Sequence, residues 1–210
     1  MDFNKNEKEL IDSPKGKISY FTESGSKKIQ ELLQKHGIAD REFNERYELR
    51  QVLPTDAEIA TEIEAVCFPP SEACTLPIMK ERIQHAAPSF VVAVERETGK
   101  MVGFVNALCT DESTLRDELF TDTSLHDPDG ENVMICSVAV LPEYRKQGIA
   151  REMMSELLRK QQELGKRQAI LTCVPGKVTM YKKFGFTDRG ESESTLGGEK
   201  WHEMWCGLNI

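Results

Sequence analysis

The sequence predicts one α/β (α+β) domain built on a mixed sheet, and three observations carry that reading. Two apolar runs, residues 133–141 and 169–174, are almost uninterrupted, as strands buried on both faces are. Between them, over about residues 149–164, Ile149, Met153 and Leu157 with Met154 and Leu158 form a helical stripe. Strand, helix and strand together predict a parallel βαβ unit with a right-handed crossover. Shorter strand-like runs on either side, separated by turn residues, supply the remaining strands.

Taken in order, residues 1–46 are polar and broken by Pro14, Gly16, Gly25 and Gly37. One short amphipathic helix is expected there, with Ser26 as N-cap, Ile29, Leu32 and Leu33 on one face, and Gly37 past its end. This leader reads as partly disordered or as a helical arm, and the main domain as residues 47–210. The domain opens with a strand over 47–53, closed by Pro54. Thr55-Asp-Ala-Glu58 reads as a capping box, and Ile59, Ile63 and Val66 recur behind it at helical spacing. Phe68-Pro-Pro70 ends that helix, because proline lacks the N–H that would continue it. A second helix is expected over 77–85, before Pro88.

Residues 90–95 and 101–108 flank a Glu97-Thr-Gly-Lys100 turn and predict a hairpin. The acidic, turn-rich stretch 111–132 predicts a long loop of functional or mobile character. Gly165 suits the position just past the crossover helix. A short helix over 178–184 and strands over 186–191 and 201–208 finish the domain. Alternation on the last strand sets Trp201, Glu203 and Trp205 against His202, Met204 and Cys206, and predicts structural roles for them.

A net charge of −8 and a pI near 5.2 argue against nucleic acid or an anionic membrane as partner. The six cysteines include no C-x-x-C pair and the four histidines stand alone, so no metal site is expected. No apolar run reaches signal-peptide or membrane-span length, and a cytoplasmic protein with reduced thiols is expected.

The segment that carries chemistry is Arg145-Lys-Gln-Gly148-Ile-Ala150, between a buried strand and the first turn of a helix. The first N–H groups of a helix lack intrahelical partners and carry the positive end of its dipole, which suits an anion. Gly148 lets the backbone approach a phosphate, Ala150 keeps side-chain bulk away, and Arg145, Lys146 and Arg151 add positive charge. On its own the hexapeptide is equally an ordinary strand-to-helix turn. It is neither a P-loop nor a dinucleotide fingerprint, since the G-K-[ST] ending and the G-x-G-x-x-G spacing are both missing.

With its surroundings, the segment resembles the GNAT acetyltransferase superfamily, whose signature R/Q-x-x-G-x-G/A follows a buried strand. Tyr181-Lys-Lys-Phe-Gly185-Phe186 is similar to the second signature, a tyrosine shortly before Gly-Phe. Four stretches further resemble the arylalkylamine (serotonin-type) N-acetyltransferases: Glu64-Ala-Val-Cys-Phe68, Leu125-His-Asp-Pro-Asp-Gly130, Val138-Ala-Val140 and Val178-Thr-Met-Tyr-Lys-Lys-Phe-Gly-Phe186. The likeness covers residues 47–208.

The resemblance implies the GNAT fold, a central mixed, mostly antiparallel twisted sheet of about seven strands with one parallel βαβ unit and helices on both faces. It implies acetyl-CoA as co-substrate, with pantetheine on the backbone of Val138, Ala139 and Val140. The pyrophosphate would lie on Arg145, Lys146, Gln147, Gly148, Ile149, Ala150 and Arg151. Tyr181 takes the place of the general acid, and the chemistry agrees: the departing thiolate needs a proton, and a phenol of pKa about 10 carries one at neutral pH. Phe68 and Thr172 fall at walls of the amine slot, with Glu72 lining it.

One departure matters. Vertebrate members of the group carry two histidines on the buried strand to deprotonate the amine, where this chain has Met134 and Cys136, neither of which is a base. Glu72, His126, and a path through backbone and water are the alternatives left open. The expected activity is acetyl transfer to a small-molecule primary amine by direct attack in a ternary complex, since no cysteine is arranged to form an acetyl-enzyme. A protein N-terminus, a lysine or a polyamine is the rival acceptor, and a non-catalytic acyl-CoA-binding module is the rival class. Monomer and homodimer are both compatible with the sequence.

Overall fold

The computed structural model describes residues 41–208, so the helix expected behind Ser26 lies outside the described residues. The apolar runs form β1 (Tyr47–Gln51), β2 (Phe90–Glu95), β3 (Met101–Thr110), β4 (Asn132–Val140), β5 (Gln168–Cys173), β6 (Thr187–Glu191) and β7 (His202–Gly207). These join one open seven-stranded sheet in the order β1-β2-β3-β4-β5-β7-β6. Only β4 and β5 run parallel, as the apolar runs with a helix between them predict.

Among the described residues five α-helices cover the two faces: α1 (Arg41–Arg46), α2 (Ala57–Cys67), α3 (Leu76–Ala86), α4 (Ile149–Glu163) and α5 (Val178–Lys183). On one face Phe43 of α1, the stripe of α4 and Tyr181 of α5 share a core with Val105, Val133 and Leu171. Met153, Met154, Leu157 and Leu158 are each at most 3% exposed, and burying such side chains is worth roughly 1.5–3 kcal/mol apiece. Gly165 ends α4 with φ of +77°, as a residue just past a helix often does. On the other face Ala60 and Ile63 of α2 and Met79 and Ile83 of α3 pack on Phe90 and Phe104.

The start of α2 differs from expectation. Thr55 and Glu58 do not form a capping box: Pro54–Asp56 make a 3-10 turn, and the Asp56 carboxylate accepts from the Leu53 N–H at 2.7 Å. The same carboxylate grips Arg50 through bonds of 2.7 and 3.0 Å. The inward face of α2 is also rotated. Ala57, Ala60, Ile63 and Glu64 are buried, whereas Val66 is 58% exposed. The small side chains at 57 and 60 let the helix lie close to the sheet, and that choice of face carries Glu64 inward.

The long loop is tied down by its own apolar residues. Leu115 and Leu119 bury against Leu108, Met134 and Ile170 as a third core. The Lys166 ammonium donates to the Gly130 carbonyl at 2.8 Å. A Cβ on Gly130 would sit 2.5 Å from the Thr110 backbone, so only glycine fits this crossing.

Two irregularities position the site. The β4–β5 register covers Asn132↔Gln168, Val133↔Ala169 and Met134↔Ile170, and stops. From Ile135 onward the edge of β4 facing β5 has no strand partner. On its other side β4 pairs Asn106↔Ser137 and then Ala107↔Ile135, which makes Cys136 the extra residue of a bulge.

Candidate active site

The turn from β4 into α4 has the conformation of an anion-binding concavity. Lys146 and Gly148 both adopt left-handed backbone, with φ of +63° and +86°. Lys146 is the only non-glycine with positive φ among the described residues. Such alternation aims successive N–H groups at one point. The first helical bond of α4 runs from the Glu152 N–H to the Gly148 carbonyl at 3.0 Å. The N–H groups of Ile149, Ala150 and Arg151 precede it and have no backbone partner among the described residues.

Side chains hold this turn in place. Arg145 Nε donates to the Val140 carbonyl at 3.0 Å, which folds the guanidinium back over the end of β4. Gln147 is anchored by its Oε1, which accepts from the Tyr47 hydroxyl at 2.8 Å and from Arg46 at 3.0 Å. Arg151 lies against Glu152 at 2.8 Å, so its charge is partly offset. Arg145 and Lys146 make no ion pair with another described residue.

Where β4 and β5 diverge, an open cleft forms, lined by both polar and apolar side chains. Its walls are Glu64 from α2, Phe68 just past the end of that helix, Glu72 beyond it, Arg82 from α3, and Phe120 from the long loop. Leu171 and Thr172 of β5, Tyr181 of α5, and Leu196 and Trp201 near β7 close the other side. Four consecutive residues of β4, Ile135 to Val138, border it. A regular strand alternates its faces and cannot do this; the bulge at Cys136 and the unpaired backbone edge account for it.

The predicted site residues therefore gather along one track. Phe68, Glu72, Thr172, Val138 and Tyr181 line the cleft, and the 145–151 turn lies past the end of β4 at Val140. Tyr181 is buried, stands edge-on to Phe184 and Phe186, and its hydroxyl bonds no described residue. Burial, with the Cys173 thiol nearby, pushes the phenol well above its ordinary pKa. Glu72 packs over Gly197, and partial burial followed by the charge of Glu199 raises its carboxyl.

Other residues are drawn elsewhere. Met134 is fully buried in the third core, while Cys136 borders the cleft. His126 is fastened to β3, its Nδ1 accepting from the Cys109 N–H at 3.0 Å, and it does not border the cleft. Burial and then Lys166 lower its pKa, so the ring is neutral and structural. His202 pairs with Asp188 at 3.0 Å and Glu203 with Arg189 at 3.1 Å, the structural roles expected for that strand.

Three polar groups went unread in the sequence. Glu64 and Arg82 are 2% and 3% exposed and border the cleft, with Asn106 at 1% behind Arg82. Glu64 Oε1 accepts from the Ser137 hydroxyl at 2.8 Å and from the Cys74 N–H at 3.3 Å. Arg82 donates to the Phe120 carbonyl at 2.7 Å and to Asn106 Oδ1 at 3.4 Å. Glu64 Oε2, Arg82 Nε and Asn106 Nδ2 are buried with no partner among the described residues. Their signal was present: Glu64 continues the Ala57–Ala60 face, Arg82 sits among Met79, Ile83 and Ala86, and Asn106 interrupts an apolar strand.

Comparison with known proteins identifies the family and the fold. The profile described as "Acetyltransferase (GNAT) family" matches residues 57–186. A serotonin N-acetyltransferase of Mesocricetus auratus is 31% identical over 168 residues, covering 77% of this chain and 77% of that protein. Among solved structures, a phosphinothricin acetyltransferase from Sinorhizobium meliloti in complex with AcCoA superposes with a TM-score of 0.59 at 20% identity, covering 78% of this chain and 89% of its own. A GNAT-like decarboxylase in complex with isobutyryl-CoA reaches a TM-score of 0.63 at 15% identity, covering 77% and 99%. These structural likenesses speak for the fold; the profile and the sequence relative establish that the chain belongs to the GNAT acetyltransferase family and is an acetyl-CoA-dependent N-acetyltransferase.

Proposed function

We propose that this enzyme acetylates a small arylalkylamine or related primary amine by direct attack on acetyl-CoA within a ternary complex. The observation that carries this reading is the single track formed by the left-handed turn at 145–151, the unpaired edge of β4 and the cleft beside Tyr181. In this reading the pyrophosphate lies on the N–H groups of Lys146 to Arg151, with the Arg145 side chain beside them. The pantetheine amides pair with the backbone of Val138, Ala139 and Val140, much as a strand would. The acetyl group then reaches the bulge at Cys136.

The neutral amine attacks the thioester carbonyl, and the C–S bond breaks with its electrons on sulfur. Tyr181 gives the thiolate its proton. A phenol kept protonated by burial, with its hydroxyl bonded to no described residue, supports that role. The cysteines support direct attack over an acetyl-enzyme: burial raises the thiol pKa of all six, so none is a ready nucleophile at neutral pH.

Phe68, Phe120, Leu171 and Trp201 around the cleft, with the carboxylate of Glu64 among them, suit an aromatic body bearing an ammonium. The relative named serotonin N-acetyltransferase points to the same acceptor class. The net charge of −8 favours a basic acceptor such as a polyamine as the second reading. Turnover of phenylethylamine, tryptamine, spermine and a lysine-containing peptide ranks them. Arylalkylamines should have the highest kcat/KM; a spermine or peptide preference overturns the acceptor assignment. Acetyl-CoA binding with no turnover of any amine leaves a binding module instead.

A further inference from the structure

We propose that Glu64 receives the acceptor's ammonium and takes its proton, the task left open by Met134 and Cys136; this rests on the acetyl transfer reading above. Three observations carry it. Glu64 borders the same cleft as Tyr181 and Cys136, so one ligand could touch all three. Ser137 and the Cys74 N–H satisfy Oε1, while Oε2 has no partner among the described residues although Glu64 is only 2% exposed. A buried carboxylate oxygen without a donor is costly, and an ammonium presents three donors. The neighbouring cation, Arg82, directs its terminal nitrogens to Asn106 Oδ1 and the Phe120 carbonyl and forms no ion pair with Glu64 among the described residues. Arg82 thus favours ionisation of Glu64 without occupying the free oxygen.

The electrostatics suit a base. Burial raises the Glu64 carboxyl, and the Ser137 hydroxyl, Arg82 and the Cys74 N–H pull it back in part. The titratable groups that face it are Arg82 from α3, Cys74 after α2, Cys136 from β4 and Cys67 on its own helix. The thiols carry no charge at neutral pH. A carboxylate raised from its usual range is a stronger base and accepts the ammonium's proton more readily.

The step balances. One N–H bond of R–NH3⁺ breaks, its electron pair stays on nitrogen, and the proton moves to Glu64 Oε2. The lone pair forms the C–N bond, sulfur leaves with the C–S pair, and Tyr181 protonates it. The Tyr181 phenolate regains a proton from the new amide nitrogen, and Glu64 releases its proton to solvent.

The test compares pH profiles of kcat/KM for wild type, Glu64→Gln, Glu64→Asp and Ser137→Ala, with acetyl-CoA affinity measured alongside. With phenylethylamine, Glu64→Gln should lose roughly 10²–10⁴-fold in kcat/KM and lose the acidic limb assigned to the carboxylate. Acetyl-CoA affinity should not change, and Glu64→Asp should recover part of the activity. A fluorinated phenylethylamine that arrives neutral should be affected much less. An unchanged profile in Glu64→Gln, or equal losses for charged and neutral amines, overturns the assignment while leaving the acetyl transfer reading intact. If Glu64→Gln does not fold, the limb must shift in Ser137→Ala, and a limb that stays put counts against Glu64. A wild type that acetylates no amine defeats both readings together.

Discussion

Replacing Tyr181 with phenylalanine removes one oxygen from a ring whose other contacts remain. The ring is 8% exposed and stands edge-on to Phe184 and Phe186, with centroids 5.9 Å from each. Because the hydroxyl bonds no described residue, its loss should change folding stability by less than about 1 kcal/mol. The catalytic cost is of a different size. A general acid contributes roughly 10²-fold or more, which is about 2.7 kcal/mol at the transition state. Tm should therefore hold while kcat falls by two orders of magnitude.

The pH sign follows from the same burial. A general acid works while protonated and is lost as pH rises through its pKa, and this phenol lies above the ordinary value of 10. Wild type should show no alkaline fall from Tyr181 below pH 10. The assay is single-turnover release of CoA thiol at saturating acetyl-CoA and amine, so that product release does not mask the chemistry. A phenylalanine variant with wild-type single-turnover rate refutes the proton-donor role.

Three further outcomes are expected. Gly148→Val puts a β-branched residue at φ of +86°, at a cost of about 1–2 kcal/mol; calorimetry should show acetyl-CoA bound roughly 5–30-fold more weakly, and an unchanged Kd contradicts the anion-loop reading. Gly103→Ala would place a Cβ 2.6 Å from the Ala139 carbonyl oxygen. Such overpacking costs about 1–3 kcal/mol, so thermal unfolding should shift down by roughly 2–4 °C per kcal/mol. Burial raises Asp56, but its bonds to Arg50 and the Leu53 N–H outweigh that and hold it below 3.8. Its contribution is thus present above that value and lost as pH falls through the folded pKa; Asp56→Asn should flatten this part of an acid denaturation curve, and an unchanged curve argues against the linkage.

The sheet was largely legible because its information is local. Unbroken apolar runs, an amphipathic stripe and glycines at turns are properties of neighbouring residues, and each became the element expected. Errors arose where a choice depended on tertiary context. Ile59, Ile63 and Val66 share a helical face as plausibly as Ala57, Ala60, Ile63 and Glu64 do, and side-chain hydrophobicity favours the first set. Close packing of small residues on the sheet selects the second, so Val66 faces water and a carboxylate enters the interior. Thr55 lost its capping role for a similar reason, since Asp56 can reach both Arg50 and the Leu53 N–H. The turn into α4 could be read from Gly148, but the left-handed backbone of Lys146 has no residue-type signature. The cleft itself depends on where β4 and β5 stop pairing, which no single segment encodes.

That early stop divides the sheet into two leaves, β1 to β4 and β5 with β7 and β6, joined through main chain at Asn132, Val133 and Met134. Beyond this short seam, the leaves can twist apart without breaking a strand-to-strand hydrogen bond. The mouth of the cleft is thus mechanically soft and its root stiff, so acceptors of different girth need not cost sheet structure. Hydrogen exchange should reveal the gradient: amides on the free edge of β4 past Met134 exchange quickly in the isolated protein, those at the seam slowly, and acetyl-CoA slows the free edge most.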